Sequence, residues 1–252
     1  MKRAVVFLDI LGFKKMVDTI TIEDLSKKYE RMIDLALNMN VKQMGMEQKA
    51  SSHDNFCKQF IFSDSIILIA NDDSIDAFTD LIVYTWRIQQ ASIAQKMPLR
   101  GAVSYGDIYI NEKKNIVLGK ALTEAYSLEG KQEWIGVILD NAIETRYQEF
   151  FNKRKDGLFE EILYTYNVPL KQGRSQPFKA INWRVNFTSD VGTKALFENP
   201  DNDAGVERKI SNTLLFAKHI RDRGNLYTSQ EPFHNKMWVG GVPPPFKHGD
   251  EY

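Results

Sequence analysis

The sequence is short of the residues that cross-link many small proteins. It has one cysteine, Cys57, among 252 residues, so no disulfide can form within the chain. The four histidines are scattered, and none stands at a spacing from Cys57 that is typical of a zinc site. These absences exclude a disulfide framework, and we expect the protein in a reducing cytoplasm.

The sequence also lacks an excess of charge and a long apolar run. Lys and Arg total 33, as do Asp and Glu, and this balance argues against nucleic acid or a membrane surface as a partner. No apolar run approaches the ~20 residues that cross a bilayer, and the one after Met1 is too short for a signal peptide. The hydrophobic fraction of 43% is nevertheless enough for a sizeable core.

A carboxylate follows the first apolar run of the chain. Residues 4–8 (AVVFL) have the composition of a buried strand, and Asp9 comes directly after them. Gly12 then gives the backbone a turn, and Lys14 and Lys15 begin a short helix. A carboxylate beside backbone N–H groups and lysines suits a metal-bound polyphosphate. An acidic residue at the edge of a buried strand is the alternative interpretation.

A second isolated carboxylate, Asp64, stands between two apolar runs. Two β-rich segments flank residues 62–65 (FSDS), which have the composition of a hairpin turn. A simple turn-forming role is the alternative for Asp64. Because two strands hydrophobic enough to be central each deliver one Asp, we favour a shared site for Asp9 and Asp64.

The rest of the pattern alternates between helices and strands. The predicted helices are 14–18, 22–37 (capped by Thr21), 75–93 (capped by Ser74), 120–129 and 206–220. The predicted strands are a pair within 99–110, followed by 116–119, 136–139, 158–166, 168–171 and 180–185. This order predicts an α+β fold close to the ferredoxin-like palm, an antiparallel-rich sheet with helices on one face. We expect residues 1–185 to form one domain and 186–252 a C-terminal extension of helix and loop.

Four segments in series resemble the catalytic domain of class III nucleotidyl cyclases, over residues 4 to about 140. Residues 7–13 (FLDILGF) match the first metal motif of that family, and residues 62–64 (FSD) fall where its hairpin offers Gly-Asp. Residues 100–106 (RGAVSYG) look like its Arg-x-Gly-Ile-x-x-Gly strand, with Ala102 at the first Gly position. Residues 119–129 (GKALTEAYSLE) look like its Gly-x-x-Val-Asn-x-Ala-x-Arg-Leu-Glu helix. The resemblance implies the catalytic fold of that family and makes residues 1–185 the catalytic domain.

The resemblance also implies a two-metal nucleotide site. Asp9 and Asp64 would hold two Mg²⁺ or Mn²⁺ ions, with the Ile10 carbonyl completing one metal shell. Arg100 would clamp the phosphates, a surface salt bridge being the alternative for this residue. The nucleotide-binding residues implied in this way are Ile10, Leu11, Gly12, Phe13, Phe60, Arg100, Ile116 and Thr123.

Two departures from the family pattern bear on substrate and activity. Adenylate cyclases of this class read adenine with a Lys and an Asp, and these positions are Phe60 and Ile116 here, which disfavours ATP. The helix Asn and Arg that orient the ribose and stabilise the transition state are replaced by Thr123 and Ser127. Lys120 is the candidate for the missing catalytic role. A catalytically inactive domain that binds nucleotide is the alternative.

The compact chain has the FSDS hairpin at residues 62–65 and, in its C-terminal part, the segments 168–171 (VPLK) and 181–183 (INW). In these features it is similar to one subgroup in particular, the bacterial pyrimidine cyclases of Pycsar anti-phage defence. That similarity implies conversion of UTP to cyclic UMP, or of CTP to cyclic CMP, with the product read by a separate effector. It further implies a homodimer with two interfacial sites. One subunit would give Asp9, Asp64 and Arg100, and the other would give Phe60, Ile116 and Thr123 around the base and ribose. A different palm enzyme, such as a cyclic dinucleotide synthase or a polymerase fragment, is a further alternative. The missing Gly-Gly-acidic-Glu-Phe loop and the neutral charge weigh against it.

Overall fold

The structure is a computed structural model that describes residues 1–38, 56–153, 162–183, 196–197, 199 and 202–224. Residues 40–55, for which the sequence predicts a loop or a distorted helix end, lie outside the described residues. So do the beginning of the strand predicted at 158–166, the end of the strand predicted at 180–185, and the tail from residue 225. The strands are β1 (Lys2–Ile10), β2 (Cys57–Phe62), β3 (Ser65–Ala70), β4 (Leu99–Asp107), β5 (Tyr109–Asn111), β6 (Ile116–Leu118), β7 (Val137–Leu139), β8 (Leu163–Leu170) and β9 (Arg174–Ile181). The helices are α1 (Phe13–Thr19), α2 (Ile22–Asn38), α3 (Ile75–Ala94), α4 (Lys120–Lys131), α5 (Asn141–Arg146), α6 (Gln148–Lys153) and α7 (Ala204–Gly224).

Seven of the strands form one sheet, in the order β2-β3-β1-β4-β7-β9-β8. Every neighbouring pair is antiparallel except β4 and β7, which are parallel. The apolar run Ala4–Leu8 is buried because its strand, β1, lies between β3 and β4. The predicted α+β fold with an antiparallel-rich sheet is confirmed.

The helix starts predicted from the sequence have the expected caps. The backbone N–H of Asp24 donates to the Thr21 hydroxyl at 3.2 Å, at the beginning of α2. At the beginning of α3, the Ser74 hydroxyl accepts from the Ala77 N–H at 3.0 Å. Each cap satisfies a backbone donor that has no partner within the first turn of a helix.

The helices cover both faces of the sheet, so the prediction of helices on one face is wrong. Val6 and Leu8 of β1 share a buried cluster with α2 and α3. Val5, which points to the opposite face because side chains alternate along a strand, clusters instead with Ala121 of α4. The amphipathic pattern of α4 predicts that the helix has an apolar stripe. It does not predict which face of the sheet this stripe covers, because that depends on the path of the chain between strands.

Helix α7 also packs on the sheet, although its sequence lies in the predicted C-terminal extension. Its apolar residues share a cluster with β7 and β9. The Ile135 N–H donates to the buried Thr213 hydroxyl at 2.8 Å, and the Asn212 amide donates to the Glu133 carbonyl at 2.7 Å. The helix predicted at 206–220 therefore serves packing, while the domain division at residue 185 stays a prediction. None of the described helices is long and apolar enough to cross a membrane.

Candidate active site

The backbone ties the two predicted metal carboxylates to each other. Asp9 is near the end of β1, and Asp64 is the second residue of the two-residue turn between β2 and β3. Asp9 pairs with Ser65, the residue after Asp64, and the Ile10 N–H donates to the Asp64 carbonyl at 2.9 Å. The hairpin thus delivers its carboxylate to the end of β1, as the sequence predicts.

The Asp9 carboxyl lies in an environment that opposes its charge. Burial, followed by the nearby Glu129 and Asp64 carboxylates, raises the pKa of Asp9 from 3.8 to about 6, while Arg100 acts in the other direction. A cation bound between Asp9 and Asp64 would reverse this shift because it favours the ionised carboxylates. Crowded carboxylates of this kind are typical of a site that binds a cation.

The pair of carboxylates fits a magnesium or manganese site. Carboxylate and carbonyl oxygens are the ligands that these hard cations prefer, and Asp9, Asp64 and the Ile10 carbonyl would supply them. Among the described residues, no group of three or more His, Cys, Asp or Glu side chains is arranged to hold a metal ion. Two carboxylates alone would therefore leave coordination positions for nucleotide phosphates and water.

Arg100 lies beside Asp9 but is bound inside the chain. It pairs with Asp9 across β1 and β4, and 7% of its surface is exposed. Its Nε donates to Glu129 at 2.5 Å, its Nη1 donates to the Gln132 carbonyl at 3.0 Å, and its Nη2 forms an ion pair with Glu129. A phosphate contact by Arg100 would therefore compete with Glu129 for the guanidinium.

The turn between β1 and α1 places backbone N–H groups next to Asp9. Gly12 has a φ of 77°, the left-handed conformation that glycine adopts easily, and its carbonyl accepts from the Met16 N–H at 3.1 Å. The Leu11 N–H already donates to the Pro98 carbonyl at 2.9 Å. The sequence predicts that residues 11–13 contact the nucleotide. Of their backbone N–H groups, that of Leu11 already has a partner within the chain.

The residues predicted for base and ribose lie around one apolar cluster. Phe60 shares a cluster with Val117 and Leu122, the neighbours of the half-buried Ile116 and the exposed Thr123. The Thr123 hydroxyl donates to the Gly119 carbonyl at 3.0 Å. We call Asp9, Asp64, Arg100 and residues 10–13 the first half-site, and Phe60, Ile116, Lys120 and Thr123 the second half-site.

The beginning of helix α4 lies at the opposite end of β4 from Asp9 and Arg100. It packs at Gly106 through Ala121, and the last turn of α4 carries Glu129, the partner of Arg100. Lys120 lines a cavity of about 330 Å³, together with Lys2 and Asp107, which pair across β1 and β4. Lys2 is seven residues from Asp9, roughly 23 Å along an extended strand. The structure therefore does not bring Lys120 to the Asp9 of the same chain.

Exposed apolar side chains surround the first half-site. Phe62, which pairs with Ser65 next to Asp64, has 83% of its surface exposed, and Tyr126 of α4 has 61% exposed. The Tyr126 ring packs edge-on against Phe7 of β1, with 5.2 Å between ring centroids. Clustered exposed aromatic residues are typical of a protein–protein interface.

Sequence reasoning missed two residues that contact the first half-site or the turn that carries Asp64. Glu129 is part of the segment 119–129 that carries the family resemblance, but its contact with Arg100 links residues 29 positions apart. The helical spacing of Tyr29 with Leu25 and Met32 places it in the apolar stripe of the predicted helix 22–37, yet its hydroxyl donates to the Ser63 carbonyl at 3.2 Å. A tyrosine within an apolar stripe is the available signal, because its hydroxyl requires a partner.

Comparison with known proteins finds similarity only among solved structures. No protein-family model matches the chain, and the curated proteins give no significant match. The adenylyl cyclase CyaB from P. aeruginosa matches with a TM-score of 0.42 and 12% identity, over 72% of this chain and 94% of that chain. The catalytic core of a rhodopsin-guanylyl cyclase with converted specificity, in complex with ATPαS, also has a TM-score of 0.42 and 12% identity, over 71% and 95%. A bacterial light-regulated adenylyl cyclase matches with a TM-score of 0.42 and 10% identity, over 88% of this chain and 57% of its own.

Proposed function

We propose that the chain is a metal-dependent nucleotide cyclase that converts UTP to 3′,5′-cyclic UMP and pyrophosphate. The observation that carries the proposal is the first half-site, where Asp9 and Asp64 are held together by the Ile10–Asp64 hydrogen bond. In this reaction the ribose 3′-oxygen forms a bond to the α-phosphorus as the bond to pyrophosphate breaks. Two Mn²⁺ or Mg²⁺ ions, when bound, would lower the pKa of the 3′-hydroxyl and neutralise the phosphates.

The residues of the chain have distinct tasks in this proposal. Asp9, Asp64 and the Ile10 carbonyl hold the metal site, and the backbone around Gly12 contacts the triphosphate. Arg100 supplies a positive charge next to Asp9, which acts to lower the pKa of Asp9 against the larger effects of burial, Glu129 and Asp64. Because Lys120 lies far from Asp9 in one chain, we propose a homodimer in which the partner subunit supplies the second half-site.

The choice of a pyrimidine rests on the second half-site. Phe60 and Ile116 present apolar side chains where the family resemblance places the adenine-reading Lys and Asp, and Phe60 packs in an apolar cluster. Such a pocket offers no hydrogen-bond pair for adenine. Three further parts of the proposal rest on the resemblance of residues 62–65 to one subgroup. They are UTP over CTP as the substrate, a product that acts as a cytoplasmic second messenger in bacterial anti-phage defence, and a separate effector that binds this product.

Incubation of the purified chain with ATP, GTP, CTP and UTP separately, with Mn²⁺, tests the proposal. We expect a cyclic pyrimidine monophosphate by mass spectrometry, lost at least a hundredfold in Asp9→Ala and Asp64→Ala because the metal ligands are removed. Asp18→Ala, which removes an exposed carboxylate of α1, is the matched control and should keep full activity.

Other results of this experiment have definite meanings. Cyclic CMP as the main product would replace UTP by CTP as substrate. No product from any nucleotide, with folded protein, would favour the nucleotide-binding domain without activity, consistent with Thr123 and Ser127 at the positions of the usual Asn and Arg.

A further inference from the structure

The turn that carries Asp64 is tight and contains an unfavourable backbone conformation. Ser63 and Asp64 alone connect β2 to β3, since Phe62 already pairs with Ser65. Ser63 has a φ of 55°, a left-handed conformation that favours glycine at this point of a two-residue hairpin turn. A serine here makes the turn less favourable, so the direction of the Asp64 carboxylate depends on contacts that hold the turn.

Two hydrogen bonds hold this turn, one at each of its carbonyls. The Ile10 N–H donates to the Asp64 carbonyl at 2.9 Å, and the Tyr29 hydroxyl donates to the Ser63 carbonyl at 3.2 Å. The first bond comes from the backbone of β1. The second bond comes from a side chain of α2, so it is specified by the sequence and a substitution can remove it.

The carboxylates of Asp64 and Asp9 also lie close enough to the Tyr29 hydroxyl to affect its pKa. Burial, and then Asp64 and Asp9, raise the pKa of Tyr29 well above its ordinary value. The hydroxyl therefore stays protonated at any working pH and remains a hydrogen-bond donor to the turn.

We propose that Tyr29 is a positioning residue that holds the Ser63–Asp64 turn in the conformation that binds the metal ion. This inference rests on the proposed metal site at Asp9 and Asp64. Tyr29 acts through the turn and does not touch the metal. Its hydroxyl offsets the unfavourable conformation of Ser63, so the chain keeps Asp64 in place without a glycine at this position.

Binding of Mn²⁺ without nucleotide, measured by electron paramagnetic resonance, tests the inference directly. We expect Tyr29→Phe to weaken Mn²⁺ binding about tenfold, the effect typical of losing a residue that orients a metal ligand. The matched control is Tyr84→Phe, because the Tyr84 hydroxyl donates to Gln59 on strand β2 of the same hairpin at 2.8 Å. This control should bind Mn²⁺ like the native chain, since Gln59 is away from the turn.

A second substitution separates positioning from a general loss of stability. Ser63→Gly removes the unfavourable conformation, so it should restore Mn²⁺ binding in the Tyr29→Phe background to within about twofold of Ser63→Gly alone. If Tyr29 only supports the fold, the effects of Tyr29→Phe and Ser63→Gly on Mn²⁺ binding should add in the double variant. If Tyr29→Phe does not fold, the double variant is compared with Ser63→Gly alone, and the two should still bind Mn²⁺ within about twofold of each other.

The outcomes distinguish this inference from the proposed function. Unchanged Mn²⁺ binding in Tyr29→Phe, or no rescue by Ser63→Gly, overturns the role of Tyr29 while the metal site stands. A double variant that fails to fold overturns it as well. If the native chain binds no Mn²⁺, or binds it equally after Asp9→Ala, the metal site and the inference that rests on it both fail.

Discussion

At the scale of single residues, the ionisation of Asp9 links the site to the stability of the fold. The pKa of this carboxyl is about 6 in the folded chain, compared with 3.8 for an unperturbed Asp. The folded state therefore binds a proton more tightly than the unfolded state between pH 4 and 6. Because of this difference, the contribution of Asp9 to the stability of the fold falls as the pH rises through this window. Above the window, the unfavourable free energy of the charged, half-buried carboxylate is fully present.

Asp9→Asn should stabilise the metal-free protein at pH 8 by roughly 1–2 kcal/mol, because it removes the opposed charge. The gain should be absent at pH 4, where Asp9 is largely protonated in the folded chain. Urea unfolding in the presence of a chelator at the two pH values measures the difference. Asp18→Asn on the exposed side of α1 is the control, and a gain of the same size at both pH values would point to packing instead of charge.

At the scale of elements, α7 is joined to the sheet by specific hydrogen bonds as well as by apolar packing. Thr213 is fully buried, accepts from the Ile135 N–H and donates to the Lys209 carbonyl at 2.7 Å. Valine has the same shape without the hydroxyl, so it would leave the Ile135 N–H unpaired inside the protein.

Thr213→Val should therefore lower the free energy of unfolding by about 1–3 kcal/mol. Chemical denaturation followed by circular dichroism measures the change. Thr145→Val is the matched control, because the exposed Thr145 hydroxyl bonds only to the Asn141 carbonyl of its own helix. Equal effects of the two substitutions would show that the contact between α7 and Ile135 adds no stability.

The elements also show which predictions the sequence supports and why. The N-caps at Thr21 and Ser74 and the hairpin around Asp64 were predictable because they depend on residues close together in the chain. The side of the sheet that α4 covers was not predictable, since both faces of β1 are apolar. The contact of Glu129 with Arg100 was missed for a similar reason, as it depends on the packing of α4 on β4.

At the scale of the whole molecule, the exposed aromatic residues next to the first half-site predict the dimer interface. Phe62→Glu places a charge on this surface, so it should convert a dimer of twice the 29.1 kDa chain mass to a monomer. Cyclase turnover should fall at least tenfold, because a monomer has no complete site. Light scattering after size exclusion and the nucleotide assay measure the two effects.

Ile22→Glu is the control for the interface, because Ile22 is 68% exposed at the start of α2. This variant should stay dimeric and active. A Phe62→Glu protein that is still dimeric and active would place the interface on a different surface.

The division of each site between two subunits has a genetic consequence in the proposed dimer. A chain without Asp9 that pairs with a native chain spoils only one of the two sites, so about half the activity of that pair survives. A chain that lacks Asp9 and also the partner-facing residues of the second half-site spoils both sites of the same pair. Single-site alleles should therefore behave as recessive, whereas an allele with both defects should be dominant negative over the native copy.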